Sequence, residues 1–147
     1  MMPSPPAPTR LEDDAACVEN YVLIVDDNPA FRQVLSHALK SDGFKCVETP
    51  TADQALSQIR HSRPRLIILD LILSRASGSE LLRTLESDIT TASIAIIAMS
   101  ATASSIIRPE ALALDAQIVL SKNRFSMMEF RRLVRRIMAL PRQESPA

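Results

Sequence analysis

No stretch of this chain approaches the roughly 18 consecutive apolar residues that a membrane span requires, and its start has no basic segment followed by an apolar one. Membrane insertion and export are therefore not expected, and the expected location is the cytoplasm. Cysteine is scarce. Cys17 and Cys46 stand far apart and match no metal-binding or redox spacing, which favours free thiols in a reducing compartment over the lesser alternative of a disulfide. An excess of either charge is missing too. Lys plus Arg and Asp plus Glu number 17 each, for a formal net charge of zero, so the overall balance carries neither a nucleic-acid footprint nor an acidic solubilising body. No internal repeat emerges. What is present is 46% hydrophobic and 23% charged residues over 147 positions. That is the make-up of one soluble globular domain with a proper core and no room for a second.

Residues 1–20 hold Pro3, Pro5, Pro6 and Pro8, then Glu12, Asp13 and Asp14, without sustained periodicity. They are expected to form a flexible Pro-rich N-terminal extension. From Tyr21 onward, short apolar runs alternate with amphipathic ones. Residues 21–25, 44–48, 65–71, 93–99 and 117–120 read as five strands. After the first, Asn28 suits a helix N-cap with Pro29 at the first helical position. Phe31, Val34, Leu35, Ala38 and Leu39 then recur at helical spacing until Asp42-Gly43 gives a stop. Thr51 caps a second helix with Ala52, Ala55, Leu56 and Ile59 on its apolar side, and a third carries Leu81, Leu82 and Leu85. Residues 101–114 read as a helix broken at Pro109. Ser126 caps the last helix. Met127, Phe130, Val134, Ile137 and Met138 share one of its faces, and Arg131, Arg132, Arg135 and Arg136 crowd another. Pro141 ends it, and 141–147 is a loose tail. Five strands alternating with five helices make a three-layer α/β sandwich around a parallel sheet with right-handed crossovers.

The polar residues sort to one place in that scheme. The run 65–71 is nearly all apolar, as a strand buried on both faces would be, and it delivers Asp70 to the crevice beyond the strand ends, where open parallel sheets bind ligands. The first strand ends likewise on Asp26-Asp27. Three carboxylates a few ångströms apart repel by about 4 kcal/mol per pair at an effective dielectric near 20, so a positive group must gather them, and a hard divalent cation is the obvious one. Ser100 follows the fourth strand and Lys122 the fifth by two residues. Singly, these could be a helix-entry cap, a turn former and a surface cation. Together they would need a coincidence at four strand ends.

In this order Asp26, Asp27, Asp70, Ser100 and Lys122, with Gly78 eight residues after Asp70, resemble the receiver domain of response regulators in two-component phosphotransfer signalling. The resemblance covers residues 21–140. It implies the flavodoxin-like strand order 2-1-3-4-5, and Asp70 as the nucleophile that accepts a phosphoryl group. It implies Mg2+ held directly by Asp27, Asp70 and the backbone carbonyl of Ile72, with Asp26 acting through water. Lys122 would pair with Asp70 and then with a phosphoryl oxygen, and the Ser100 hydroxyl would hydrogen-bond the phosphoryl group. Such a protein is a signalling phospho-acceptor that catalyses only its own phosphorylation and dephosphorylation. Its implied partners are a histidine kinase or histidine phosphotransfer protein upstream and an effector protein downstream, without direct nucleic-acid contact. A stand-alone receiver is the expectation, and the alternative is a pseudo-receiver that binds protein constitutively without phosphorylation.

Two rival chemistries fit less well. A haloacid-type aspartyl phosphatase also uses an aspartate after a buried strand but needs a second acid two residues on, where Ile72 stands. His37-Ala38-Leu39-Lys40 echoes the phospho-accepting histidine motif of phosphotransfer domains, but those are helical bundles, and His61 has no partner motif. The chain also departs from the receiver pattern. Ser74 stands where the family has proline, Lys122-Asn123 replaces Lys-Pro, Asp115-Ala116 replaces Gly-Ala, and Val119 replaces the aromatic switch residue. These changes leave the acid pocket complete and bear on how the output surface responds.

Overall fold

The computed structural model describes residues 20–71, 78–100, 117–122 and 126–140. Its elements run β1 (Tyr21–Val25), α1 (Pro29–Ser41), β2 (Lys45–Thr49), α2 (Ala52–His61), β3 (Leu66–Asp70), α3 (Gly78–Ser87), β4 (Ala95–Ser100), β5 (Gln117–Ser121) and α4 (Met127–Ala139). All neighbouring strands pair in parallel, in the order β2-β1-β3-β4-β5. Four helices lie among the described residues. The expected helix with its Pro109 break, the N-terminal extension to residue 19, the tail 141–147, Cys17, Ile72, Ser74, Asp115-Ala116 and Asn123 lie outside them.

Because successive strand side chains point to opposite faces, β1 divides its residues between two cores. Tyr21, Leu23 and Val25 join Ile67, Leu69 and Ile96 beneath α2 and α3, which contribute Ala55, Ile59, Leu81 and Leu85. Val22 and Ile24 join Leu66, Ile68, Ile97 and Met99 beneath α1 and α4, which contribute Leu35, Leu39, Phe130 and Val134. Each fully buried Leu or Ile contributes about 1.5–3 kcal/mol relative to exposure, so the two cores fix which face every helix takes. One expected core residue is not in place. Val34 is 52% exposed, because the helix turns Leu35, Ser36 and Leu39 inward and leaves Val34 on its flank.

The helix ends follow local chemistry. The Asn28 side chain accepts hydrogen bonds from the N–H groups of Ala30 and Phe31, Thr51 accepts from Gln54 and Ser126 from Glu129, each satisfying a donor that the helix itself cannot. At the other end of α1, Gly43 adopts φ +94. Its N–H bonds to the Lys40 carbonyl at 2.9 Å and that of Phe44 to the Leu39 carbonyl at 3.0 Å, the Schellman arrangement. Phe44 therefore spends its N–H on the helix end, and β2 starts at Lys45 rather than at residue 44. Similarly, the Ile94 N–H closes a turn onto Thr91 at 3.1 Å, so β4 begins at Ala95 rather than at residue 93.

Candidate functional site

Parallel order puts the carboxyl ends of β1, β3, β4 and β5 along one edge. Asp26 and Asp27 directly follow β1, Asp70 and Ser100 are the last residues of β3 and β4, and Lys122 directly follows β5. One carboxylate oxygen from each of Asp26, Asp27 and Asp70 lies within 4.8 Å of the others. Asp26, Asp70 and Ser100 are buried, and Asp27 is half-buried.

Lys122 bridges two of these acids. Its Nζ donates to Asp26 Oδ2 at 2.8 Å and to Asp70 Oδ2 at 3.3 Å. The expected Lys122–Asp70 pair is present, but Asp26 holds the ammonium more closely. Burial pulls the Lys122 ammonium down, yet the Asp26 hydrogen bond and the charges of Asp26 and Asp70 outweigh it, so its pKa is raised and the side chain stays charged. One ammonium against three carboxylates leaves the cluster with net negative charge. The ligand atoms are all hard oxygens, the donor type that Mg2+ prefers, so the residues fit such an ion.

Several residues outside the expected site hold this cluster in place. The Asp26 N–H bonds to the Thr49 carbonyl at 3.1 Å, tying the end of β1 to β2. Asp26 Oδ1 accepts the Asn28 N–H at 2.9 Å, so both oxygens of Asp26 are engaged within the protein. From the first turns of α1, Arg32 reaches back to donate to the Asp26 carbonyl at 2.6 Å and to Glu48 Oε1 at 3.1 Å. Phe31 presents its ring to Lys122, with Nζ 4.5 Å from the ring centroid. The available signal was their spacing: five and six residues past Asp26, on a helix that starts at the strand end, both are within reach of the acid edge. The Lys122 N–H bonds to the Ser100 carbonyl at 3.0 Å, which sets the lysine's height above the sheet.

Gly78 opens α3 directly against the acceptor strand. Its N–H bonds to the Leu71 carbonyl at 3.0 Å, and a Cβ there would lie 2.0 Å from the Asp70 carbonyl oxygen and 2.7 Å from Leu71 Cα. Only a residue without Cβ permits this approach. The four arginines of α4 do not act alike. Arg131 grips Asp42 with Nε at 2.9 Å and Nη2 at 2.5 Å, and Arg135 adds a contact at 3.3 Å, so two of them tie α4 to the end of α1. His37 and His61 are exposed and away from the cluster's hydrogen bonds, and Cys46 is a free thiol whose pKa burial pushes up to about 11.

A five-stranded parallel sheet with an acid triad and a lysine at its carboxyl edge is the arrangement of a phosphoryl-accepting signalling domain. The response regulator receiver domain family matches residues 22–135, and the chain belongs to that family. It is similar to the phosphate regulon transcriptional regulatory protein PhoB of Pseudomonas aeruginosa, 35% identical over 129 residues, covering 88% of this chain and 55% of that protein. It is also similar to the DNA-binding response regulator MtrA of Mycolicibacterium smegmatis, 36% identical over 67 residues, covering 46% of this chain and 29% of that one. The chain thus spans about half the length, or less, of these curated relatives. Among solved structures, the signal receiver domain of a DNA-binding response regulator from Colwellia psychrerythraea superposes with a TM-score of 0.72 at 19% identity, covering 83% of this chain and all of that one. At that identity the likeness supports the fold.

Proposed function

We propose that this chain accepts a phosphoryl group onto Asp70 from a phosphohistidine of a histidine kinase or histidine phosphotransfer protein, and that the modification switches a protein-binding surface for an effector. What carries this reading is the geometry around Asp70: a buried carboxylate 3.3 Å from the Lys122 ammonium, with ligand oxygens of Asp26 and Asp27 close by. A carboxylate oxygen of Asp70 attacks phosphorus. The new O–P bond forms as the P–N bond to the donor imidazole breaks, and that nitrogen keeps the bonding pair, the ring leaving neutral once protonated. Asp27 and Asp70 would hold Mg2+ directly, with Asp26 acting through water and the Ile72 carbonyl as a further oxygen by family resemblance. An ion held there would supply positive charge against the phosphoryl oxygens. Lys122 adds a second positive group, able to turn from Asp26 toward the arriving oxygen, and the Ser100 hydroxyl donates to it.

Two relatives carry transcriptional regulation or DNA binding in their names, and the match covers about half of each or less. Our reading gives the segment 21–140 the task of receiving the signal and passing it on by protein contact rather than by touching nucleic acid. The deciding measurement is intact mass after incubation with magnesium and a small phosphodonor. One added phosphoryl group is expected, and Asp70→Asn or removal of magnesium abolishes it. An unmodified wild type across several donors and magnesium concentrations would refute the proposal and leave a pseudo-receiver.

A further inference from the structure

We infer that Phe31 is a positioning residue for Lys122, its ring face holding the ammonium between Asp26 and Asp70 so that phosphoryl transfer to Asp70 proceeds at full rate. The inference rests on the receiver reading of the pocket. A lysine ammonium is a compact charge on a flexible four-carbon stem, and among three carboxylates it has several positions of similar energy. Two hydrogen bonds define its place here, to Asp26 at 2.8 Å and to Asp70 at 3.3 Å. The Phe31 ring is a further neighbour among the described residues, at 4.5 Å from Nζ to the centroid, well inside the range of about 6 Å over which a ring quadrupole attracts a cation.

The choice of a ring matters chemically. An ammonium has three N–H donors, and among the described residues Asp26 and Asp70 take its side-chain hydrogen bonds. A carbonyl or carboxylate in place of the ring would compete for the remaining donor. An aromatic face attracts the charge while leaving that donor for a phosphoryl oxygen. The ring is itself partly buried against the core. Phe31 packs against the core of Val22, Ile24, Leu35 and Phe130 with Met127 and Leu120, and the capped start of α1 fixes its backbone through the Asn28 bond at 3.1 Å. The ring's position is therefore set by the fold rather than by the lysine.

Full-length protein carrying phenylalanine with one, two and three ring fluorines at position 31 tests this, because fluorine weakens the negative face with little change in shape. Phosphorylation by acetyl phosphate at saturating magnesium should slow stepwise along the series. Phe31→Leu should be roughly two- to tenfold slower, and Phe31→Tyr should keep the wild-type rate. In metal-free protein, the ring current should shift the Lys122 ε-methylene protons upfield, and Phe31→Leu should remove the shift. A phosphorylated wild type with a flat fluorine series overturns the positioning role alone, as does an ordinary Lys122 ε-methylene shift in the wild type. A wild type that takes no phosphoryl group overturns the receiver reading and the rate effect together.

Discussion

Replacing Gly78 by alanine should damage both stability and phosphorylation, although the residue carries no functional group. The added Cβ would stand 2.0 Å from the Asp70 carbonyl oxygen, 2.7 Å from Leu71 Cα and 2.9 Å from the Asp70 carbonyl carbon. Relief needs a separation larger by about 1 Å or more, and every atom in the way is backbone, so no side chain can swing aside. The start of α3 cannot simply withdraw, since the Gly78 N–H is bonded to the Leu71 carbonyl at 3.0 Å and Leu81 and Leu85 are buried beneath the sheet. Overpacking of this kind costs about 1–3 kcal/mol, or a midpoint lowered by roughly 2–4 °C for each kcal/mol in a chain of this size. Movement at the end of β3 carries Asp70 with it. A nucleophile displaced by about 1 Å can lose on the order of a hundredfold in rate. Urea denaturation read by circular dichroism gives the first quantity, and the time course of intact mass with acetyl phosphate and magnesium gives the second. A Gly78→Ala protein with wild-type stability and rate would refute the close-approach argument. Lost stability at an unchanged rate would show that the strain does not reach Asp70.

The two acids after β1 should differ toward magnesium: Asp26 already commits its oxygens to Asn28 and Lys122, so Asp27→Ala should weaken the ion more than Asp26→Ala, and equal losses in a titration followed by amide shifts would contradict that. Asp42 makes a pH prediction. The Arg131 hydrogen bond, with the Arg131 and Arg135 charges, outweighs desolvation and holds its carboxyl below the ordinary 3.8. A carboxyl lowered on folding stabilises above its unfolded value, and the contribution fades as pH falls through the folded one. The urea midpoint of Asp42→Asn should therefore lie below wild type at neutral pH and converge with it as the pH drops through about 4 and below; a gap that persists undiminished in acid would refute the ion-pair origin.

How much of this was readable before folding follows from which interactions are local. Cap chemistry is local: Asn28, Thr51 and Ser126 satisfy backbone donors two or three residues on, and Asp42-Gly43 ends α1 through the left-handed turn that glycine permits. Strand burial is nearly as local, since a short apolar run ending on Asp26 or Asp70 fits a strand covered on both faces, and parallel order then carries both acids to one edge. Periodicity names the apolar stripe of a helix without fixing its rotation against the sheet. Spacing alone puts Val34 in the core, yet it lies on the flank of α1, while Phe31, from the same stripe, lies beneath an ammonium ninety-one positions away in the chain. Nor does composition tell a solvated arginine from a tethered one: Arg131 and Arg132 are adjacent and identical in type, yet only the first points at Asp42, because a helix turns successive side chains by about 100°. Local patterning is enough to read the strands, the caps and the inventory of charged groups at the strand ends. That Lys122 leans on Asp26 and that Gly78 presses on the Asp70 backbone is visible only after folding, since both depend on where separate elements come to rest against each other.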